Sequence, residues 1–256
     1  MQKNPNPSLA RKTDRDAEMS FWDHLEVLRG TLFRSVIAIA LVAVVFLFIP
    51  HQLFRFVLWP TMQDFPLYRL AGLDFTMDLI NVEVSAQFFV HLKVAFLAAI
   101  VVAFPYIIYE LWRFVSPALY DNERRAASRA FGMSSFLFYL GAAVGYMIVL
   151  PICLVFFMNY TVSDAVANTI TLNSYISLFV SMVFMIGLLF EFPTVVMVLS
   201  GMGLLKKHHL KAYRKHAFII ILVLAALITP SDPFSMFVLS IPLYALYEFS
   251  ILVCKK

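Results

Sequence analysis

Six apolar runs, separated by polar segments, dominate the chain. A helix needs about 20 predominantly apolar residues to cross the hydrocarbon core of a bilayer. Four of the runs reach that length, and the first is extended upstream by apolar residues at 28–33. We therefore predict an all-α membrane protein with six transmembrane helices in a single integral membrane domain over residues 1–256. The predicted spans cover residues 35–49, 88–115, 130–150, 175–200, 217–228 and 234–253.

The fifth run is the shortest and differs from the others. At residues 217–228 it is closer in length to a re-entrant segment than to a full span. It is followed directly by a segment with two prolines, 229–233, whose composition is typical of a tight turn. We predict that the fifth and sixth spans form a short helical hairpin, whether or not the fifth crosses fully.

Basic residues are concentrated in alternate segments. All 20 lysines and arginines except Arg55, Arg69 and Lys93 lie before the first run, around the junction of the second and third, between the fourth and fifth, or after the sixth. Basic loops remain on the cytoplasmic side of a membrane. We therefore predict cytoplasmic termini, with residues 1–34 as a cytoplasmic N-terminal segment. The segments 50–87 and 151–174 are then external caps.

Composition supports a membrane protein and excludes other classes. Hydrophobic residues make up 61% of the chain and charged residues 14%, whereas a soluble domain is about half apolar and about a quarter charged. The same values exclude intrinsic disorder. Cys153 and Cys254 are the only cysteines, and their positions in apolar runs form neither a CxxC motif nor a metal-ligand spacing. No small-residue cleavage motif follows the first run, which we keep as a permanent span.

Glu191 is the clearest ionisable residue inside an apolar run. Such a residue costs about 2.5 to 3.5 kcal/mol at mid-bilayer. Two interpretations remain open: an interhelical hydrogen bond that fixes packing, or a polar patch that faces a cavity or a ligand. Pro193 follows closely and removes a helix hydrogen bond, so we predict a bend there. A bend beside a buried carboxyl suggests a concave surface.

Charged residues near the ends of the runs have simpler explanations. We predict that Glu110, Glu248, His91 and Lys93 extend along their apolar stems to the membrane surface. Asp232 directly precedes the sixth run, where its carboxylate is suited to cap the helix N-terminus.

The first predicted cytoplasmic loop, residues 111–125, mixes aromatic and charged side chains. Its aromatic residues fit a belt at the membrane interface. Glu123 precedes two arginines and is either part of a solvated ion pair or a carboxylate that receives a basic peptide. A carboxylate binds a guanidinium through two parallel hydrogen bonds, so Glu123 would suit an arginine ligand.

The N-terminal stretch 21–29 has apolar residues at helical spacing, at positions 21, 25, 28 and 32. It predicts an amphipathic helix that lies on the cytoplasmic surface and runs into the first span. This helix would carry Asp23, Glu26 and Arg29 close to the surface that holds Glu123.

Four segments in this order resemble TatC, the multispanning receptor subunit of the twin-arginine protein translocase. The resemblance covers about residues 19–253. Its segments are 24–29, similar to H-L-x-E-L-R; 105–125, similar to P-x-x-x-Y-x-x-W-x-F-x-x-P-A-L-Y-x-x-E-R-R; 190–193, similar to F-E-x-P; and 229–235, similar to T-P-x-D-x-x-S. Two positions depart from the family pattern. Val27 stands where the family has a glutamate, with Glu26 beside it, and Met236 stands where some members have a glutamine.

The resemblance implies a receptor that binds twin-arginine signal peptides of folded proteins. Glu123 would bind the arginines, with further signal-peptide contacts from Phe114, Pro117, Tyr120, Arg29 and Glu26. The apolar stretch of the signal would lie near Glu191. Single-span partners of the TatA and TatB type would pack near Thr229, Asp232 and Ser235, and Pro60 would shape the external cap.

The resemblance also implies a bacterial-type inner membrane protein that assembles in several copies and transports folded cargo with the proton-motive force. It implies no nucleic-acid partner and no cofactor. The absence of a GxxxxGK[ST] motif agrees with transport that needs no nucleotide.

Two other classes of membrane protein fit the sequence less well. A small-molecule or ion transporter with a polar site around Glu191 predicts several charges converging at mid-membrane, but no basic residue lies deep in another run. An intramembrane enzyme is disfavoured because the chain has no HExxH motif, no paired intramembrane aspartates and no GxSxG motif.

Overall fold

The computed structural model describes residues 21–163, 168–229 and 232–254. The basic residues predicted before position 21, Pro230 and Ser231 of the predicted turn, and the two C-terminal lysines lie outside these ranges. The described chain is helical apart from one pair of two-residue strands. The helices are α1 Phe21–Leu47, α2 Pro50–Val57, α3 Pro66–Ala71, α4 Ala86–Val115, α5 Asp121–Val144, α6 Leu150–Asn159, α7 Leu172–Val180, α8 Ile186–Leu189, α9 Phe192–Gly201, α10 Lys207–Ala212, α11 Arg214–Ile228 and α12 Pro233–Val253.

Two π-helical turns join shorter helices into long ones. The turn Gly145–Val149 connects α5 to α6, and the turn Ser181–Met185 connects α7 to α8. The third predicted span therefore continues to Asn159 instead of ending at position 150. Pro151 does not stop the helix because it lies in the first turn of α6, directly after the π turn, where its missing N–H costs little. Helix α6 thus occupies the first part of the segment predicted as the second cap.

Within the described ranges, five helical stretches are long and apolar enough to cross a membrane. They are His24–Leu47, Ala86–Val115, Glu123–Asn159, Leu172–Gly201 and Pro233–Val253. The fifth predicted span corresponds to α11, which has 15 residues and a length of about 22 Å. This length is less than the hydrocarbon thickness of about 30 Å, so α11 does not meet the same criterion. The short fifth apolar run therefore corresponds to a short helix in the structure.

The long helices pack as a row, which we call the wall. Helix α1 packs along α4, and α4 packs against α5 and α7. Helix α5 packs against α8 and α9, α9 against α12, and α12 against α11. Neighbours in the wall thus largely follow chain order, with α1 near one end and α11 near the other.

Glycines allow the helices at the centre of the wall to approach closely. A Cβ at Gly145 would lie 2.5 Å from the carbonyl oxygen of Met182, and one at Gly141 would lie 2.5 Å from the Phe190 ring. Both distances are shorter than a carbon atom tolerates. The two π turns therefore meet backbone to backbone, and only glycine fits on the α5 side.

The two segments predicted as caps contact each other beyond the first residues of α4 and α7, at one end of the long helices, which we call the cap end. Strand β1, Leu79–Ile80, pairs in parallel with β2, Ile170–Thr171. Three buried tyrosines fasten the first cap by donating hydrogen bonds to its carbonyls: Tyr68 to Pro60 at 2.8 Å, Tyr146 to Phe56 at 2.7 Å and Tyr175 to Val57 at 2.6 Å. Burial raises the pKa of Tyr68, so its hydroxyl remains a donor. Pro60 is buried in a short 3₁₀ turn, Trp59–Thr61, consistent with a part in shaping this cap.

Candidate functional site

Most of the predicted binding residues lie at the opposite ends of the long helices, away from the cap end. Helix α4 ends at Val115, a 3₁₀ turn covers Ser116–Ala118, and α5 begins at Asp121. Pro117 lies exposed in this turn, which we call the α4–α5 turn. Tyr120 has extended backbone angles that end the turn, and its side chain is 80% exposed.

Phe114 meets the N-terminal helix at this end. Its ring stacks on the imidazole of His24, with ring centroids 4.3 Å apart and an interplanar angle of 23°. The start of the N-terminal helix therefore contacts the end of α4 through His24. That segment is the beginning of α1 itself, because the helix runs without a break from Phe21 to Leu47.

Glu123 is the third residue of α5 and is partly exposed. One carboxylate oxygen, Oε2, accepts a hydrogen bond of 3.4 Å from the backbone N–H of Tyr120. Among the described side chains, no lysine or arginine lies within ion-pair distance of this carboxylate. Of the two interpretations of Glu123, the solvated pair with the following arginines is absent from the described residues.

Glu26 and Arg29 are exposed on a different face of α1. The face toward α4 carries His24, Thr31 and Arg34, which make contacts with α4 or are buried. At about 100° per residue, Glu26 lies about 160° around the helix from His24. The structure thus brings Phe114 and the start of α1 together, but it turns Glu26 and Arg29 away from that contact.

Glu110 forms an ion pair, and the prediction that it reaches the membrane surface is wrong. Its Oε2 accepts hydrogen bonds from Arg34 Nη2 at 2.7 Å and Nε at 2.9 Å, and its Oε1 accepts one of 3.1 Å from the Tyr106 hydroxyl. The Glu110 side chain is only 3% exposed. Arg34, one turn beyond Thr31 in α1, supplies the charge that lets the carboxylate be buried. Sequence reasoning missed this partner, although Arg34 was a visible charge at the start of the first apolar run.

Glu191 binds a serine on the neighbouring helix. The Ser134 hydroxyl of α5 donates a 2.6 Å hydrogen bond to Glu191 Oε2, while Oε1 is buried without a partner among the described residues. Regular helix is interrupted at Phe190 and Glu191, directly before Pro193, which agrees with the predicted bend. The interhelical hydrogen bond is thus present, and an unsatisfied oxygen remains beside it. No basic side chain contacts Glu191 among the described residues.

Glu123 and Ser134 lie on one face of α5. The residues between them on that face, Ala127 and Ala130, are 2% and 0% exposed. The spacing of four, three and four residues keeps all of them in line along the helix. Glu123 is about 16 Å along the axis from Ser134, and therefore from the level of Glu191.

An apolar groove runs beside this face, between α5 and α12. It has a volume of about 340 Å³, and its lining is almost wholly apolar. Residues from α5, α12 and the interrupted turn contribute to it, including Leu137, Leu140, Phe190, Pro242 and Leu246.

The residues predicted near the fifth and sixth spans surround the start of α12. Asp232 Oδ2 accepts a 2.6 Å hydrogen bond from the Ser235 backbone N–H, so the predicted N-cap is confirmed. The Thr229 hydroxyl bonds to the Ala225 carbonyl at 3.0 Å and is buried. Asp232 Oδ1 and the fully buried Ser235 hydroxyl have no partner within the described ranges. Met236 is partly buried against the core.

The remaining charged residues near helix ends also have protein partners. Glu248 accepts a 2.6 Å hydrogen bond from Arg214, and Lys93 donates one of 3.0 Å to the Ser177 hydroxyl. His91 packs edge-on against Phe54. In the described parts of the chain, no group of three His, Cys, Asp or Glu side chains is placed to hold a metal ion.

The fold and the site define a multi-pass helical membrane protein with a polar turn between α4 and α5 and one carboxyl group, that of Glu191, inside the wall. The sequence profile of the Sec-independent protein translocase protein TatC matches residues 23–242. The chain therefore belongs to the TatC family, whose members are components of a protein translocase of the inner membrane and not known enzymes.

Relatives and solved structures agree with this assignment. The TatC protein of Blattabacterium sp. subsp. Periplaneta americana is 36% identical, over 92% of this chain and 95% of its own length. That of Escherichia coli K12 is 30% identical, over 89% of this chain and 85% of its own. A crystal structure described as the twin arginine translocase receptor TatC, in the detergent DDM, superposes with a TM-score of 0.77 at 31% identity, covering 91% of this chain and all of that one.

Proposed function

We propose that this translocase component is the receptor for twin-arginine signal peptides and that Glu123 binds their arginine pair. The observation that carries the proposal is a partly exposed carboxylate without a basic partner among the described residues, at the end of the wall that also holds Phe114. A guanidinium forms two parallel hydrogen bonds with such a carboxylate. The relative described as a twin arginine translocase receptor supports this assignment.

The surroundings of Glu123 suit an extended peptide. Pro117 and Tyr120 are exposed in the α4–α5 turn, and Phe114 offers an aromatic edge beside it. Glu26 and Arg29 face away from Phe114, so in this proposal they contact residues that flank the arginine pair. Glu123 alone then supplies the pairing charge.

The apolar stretch of the signal lies in the apolar groove beside this face of α5 and runs toward the level of Glu191, because Ala127 and Ala130 on the face itself are buried. Glu123 and Ser134 lie in line, about 16 Å apart along the axis, a distance that about eleven helical residues cover. The apolar groove between α5 and α12 lies beside that path and buries an apolar segment favourably. The unsatisfied Glu191 oxygen offers a hydrogen-bond acceptor at its far end.

The proposed topology has six membrane segments with both termini cytoplasmic, α11 being the short one. This orientation places the α4–α5 turn in the cytoplasm, where signals arrive, and it follows the distribution of basic residues. TatA-type and TatB-type single-span subunits pack near Thr229, Asp232 and Ser235, several copies of the chain assemble in the receptor complex, and the proton-motive force drives transport.

Photo-crosslinking tests the receptor site. A photoreactive amino acid at position 120, which is exposed beside an intact Glu123, should crosslink a signal peptide with two arginines and fail with two lysines. The same probe at position 128, which is exposed but lies on another face of α5, is the matched control and should crosslink neither. Equal crosslinking by both peptides at position 120 would contradict arginine recognition at this turn.

A charge-removing variant tests the role of Glu123 itself. Glu123→Gln keeps the side-chain volume, and the loss of one charge-assisted interaction in a partly exposed site should weaken peptide binding about tenfold. Glu83→Gln removes an exposed carboxylate from the cap end and should leave the affinity unchanged. Unchanged affinity in Glu123→Gln, with the protein still folded, would show that the arginines bind elsewhere.

A further inference from the structure

A second polar feature lies at the α4–α5 turn, on the other side of α5. It is an open depression with a volume of about 720 Å³, lined by Trp112 of α4 and by Arg124, Arg125, Ser128 and Arg129 of α5. All four α5 residues are exposed. The described side chains of the lining contribute three guanidinium groups and a hydroxyl.

The three arginines differ from the paired arginines elsewhere in the molecule. Arg34 and Arg214 lie 2.7 and 2.6 Å from carboxylates. Among the described side chains, Arg124, Arg125 and Arg129 have no ion-pair partner. They also lie in the first turns of α5, where the helix dipole disfavours positive charge. A bound anion would offset both the mutual repulsion and the dipole.

The depression is separate from the face that carries Glu123. At about 100° per residue, the directions of the four α5 lining residues centre about 170° from Glu123. An anion in the depression therefore leaves the Glu123 carboxylate free to meet a guanidinium. The proximity of Glu123 and the arginines in sequence does not bring them to one surface.

The position of the depression indicates which anion it binds. Trp112 packs against Phe131, with ring centroids 5.1 Å apart, and α5 becomes apolar directly beyond that point. A tryptophan beside basic residues at the end of a membrane-crossing helix is typical of the headgroup level. We propose that the depression binds the phosphate of an anionic phospholipid headgroup, with the arginines and Ser128 as donors.

Lipid retention on the full-length protein tests the proposal. The protein in detergent is mixed with equal amounts of phosphatidylglycerol and phosphatidylcholine, and native mass spectrometry measures the fraction that carries each lipid. The wild type should prefer phosphatidylglycerol. Arg125→Gln with Arg129→Gln should reduce that preference by about fivefold for each arginine removed.

The control removes the same charge elsewhere. Lys207→Gln with Lys211→Gln changes α10, which does not line the depression, and should keep the preference. An equal loss of the phosphatidylglycerol preference in both double variants would show that the preference depends only on net charge, and it would overturn the proposed site. Thermal unfolding of each variant establishes that the protein is folded.

A competition arm separates a lipid from a free phosphate. Millimolar inorganic phosphate should displace little phosphatidylglycerol, because the acyl chains keep the headgroup at the depression. Full displacement by phosphate would overturn the lipid assignment in favour of a soluble phosphate ligand. Equal retention of both lipids by the wild type would overturn the anion site altogether.

Discussion

The ion pair between Arg34 and Glu110 joins α1 to α4, and its two members differ in exposure. The Arg34 side chain is 40% exposed, whereas that of Glu110 is 3% exposed. Removing either member breaks the hydrogen bonds between Arg34 and Glu110, but the charged group left without its partner differs between the two variants. A buried carboxylate without a partner is costly, whereas an arginine at the edge of the wall reaches water or headgroups.

This asymmetry gives different magnitudes for the two single variants. Arg34→Gln leaves the Glu110 carboxylate with only the Tyr106 hydroxyl, and we expect it to cost about 3 kcal/mol, at the low end for a broken buried pair. Glu110→Gln keeps the volume and the contact with Tyr106, so it should cost about 1 kcal/mol. The double variant should resemble Glu110→Gln, which gives a coupling free energy of about 3 kcal/mol.

The chain contains a convenient reporter of unfolding. Cys153 and Cys254 are 0% and 3% exposed, so a thiol-reactive fluorescent maleimide labels them only as the protein unfolds. The expected fall in midpoint temperature is about 6 to 12 °C for Arg34→Gln and about 2 to 4 °C for Glu110→Gln. Arg214→Gln breaks an exposed ion pair instead and should lower the midpoint by less than either.

The order of the midpoints decides whether the reasoning holds. Equal losses in both single variants would refute the argument from exposure. A double variant less stable than Arg34→Gln alone would show that the pair is not coupled as its geometry indicates.

Three further predictions concern other contacts. Gly145→Ala should destabilise the protein by about 1 to 3 kcal/mol, because its Cβ meets the Met182 carbonyl oxygen at 2.5 Å. Gly132→Ala is the control: no described atom outside its own helix lies within 4 Å of a Cβ at that position, so the unfolding midpoint in the maleimide assay should not fall. Tyr175→Phe leaves a cap carbonyl without its 2.6 Å donor and should cost about 1 to 2 kcal/mol in the same assay. Glu191→Leu should leave arginine-dependent crosslinking at the α4–α5 turn intact and abolish crosslinks from deeper probes in α5; loss of both would contradict the two-part path.

The apolar runs predict most of the fold because hydrophobic length is a property of the sequence alone. The second and fourth runs lie within long helices, and the twelve apolar residues at 217–228 already indicated that the fifth is short. The π turns were not predictable in this way. The two turns pack against each other at Gly145 and Met182, two residues far apart in the chain, and a pattern of apolar residues carries no information on such a contact.

The candidate site likewise has some features that the sequence predicts and others that it does not. Local signals were sufficient for the Asp232 cap and for the interruption beside Pro193, because each effect acts within one turn of helix. Partners on other helices were not predictable. Ser134 is one serine in an apolar run, and nothing local indicates that it faces Glu191.

At Val27, a shift of the carboxylate by one sequence position alters the proposed recognition surface. The family resemblance places a glutamate at that position, and Val27 is partly buried toward the side of α1 that carries His24 and meets α4. Glu26 is exposed and lies about 100° away. A carboxylate moved by one residue therefore leaves the surface shared with Phe114 and does not replace the missing one. In the proposed recognition, the arginine pair therefore depends more heavily on Glu123 than it would with a carboxylate at position 27.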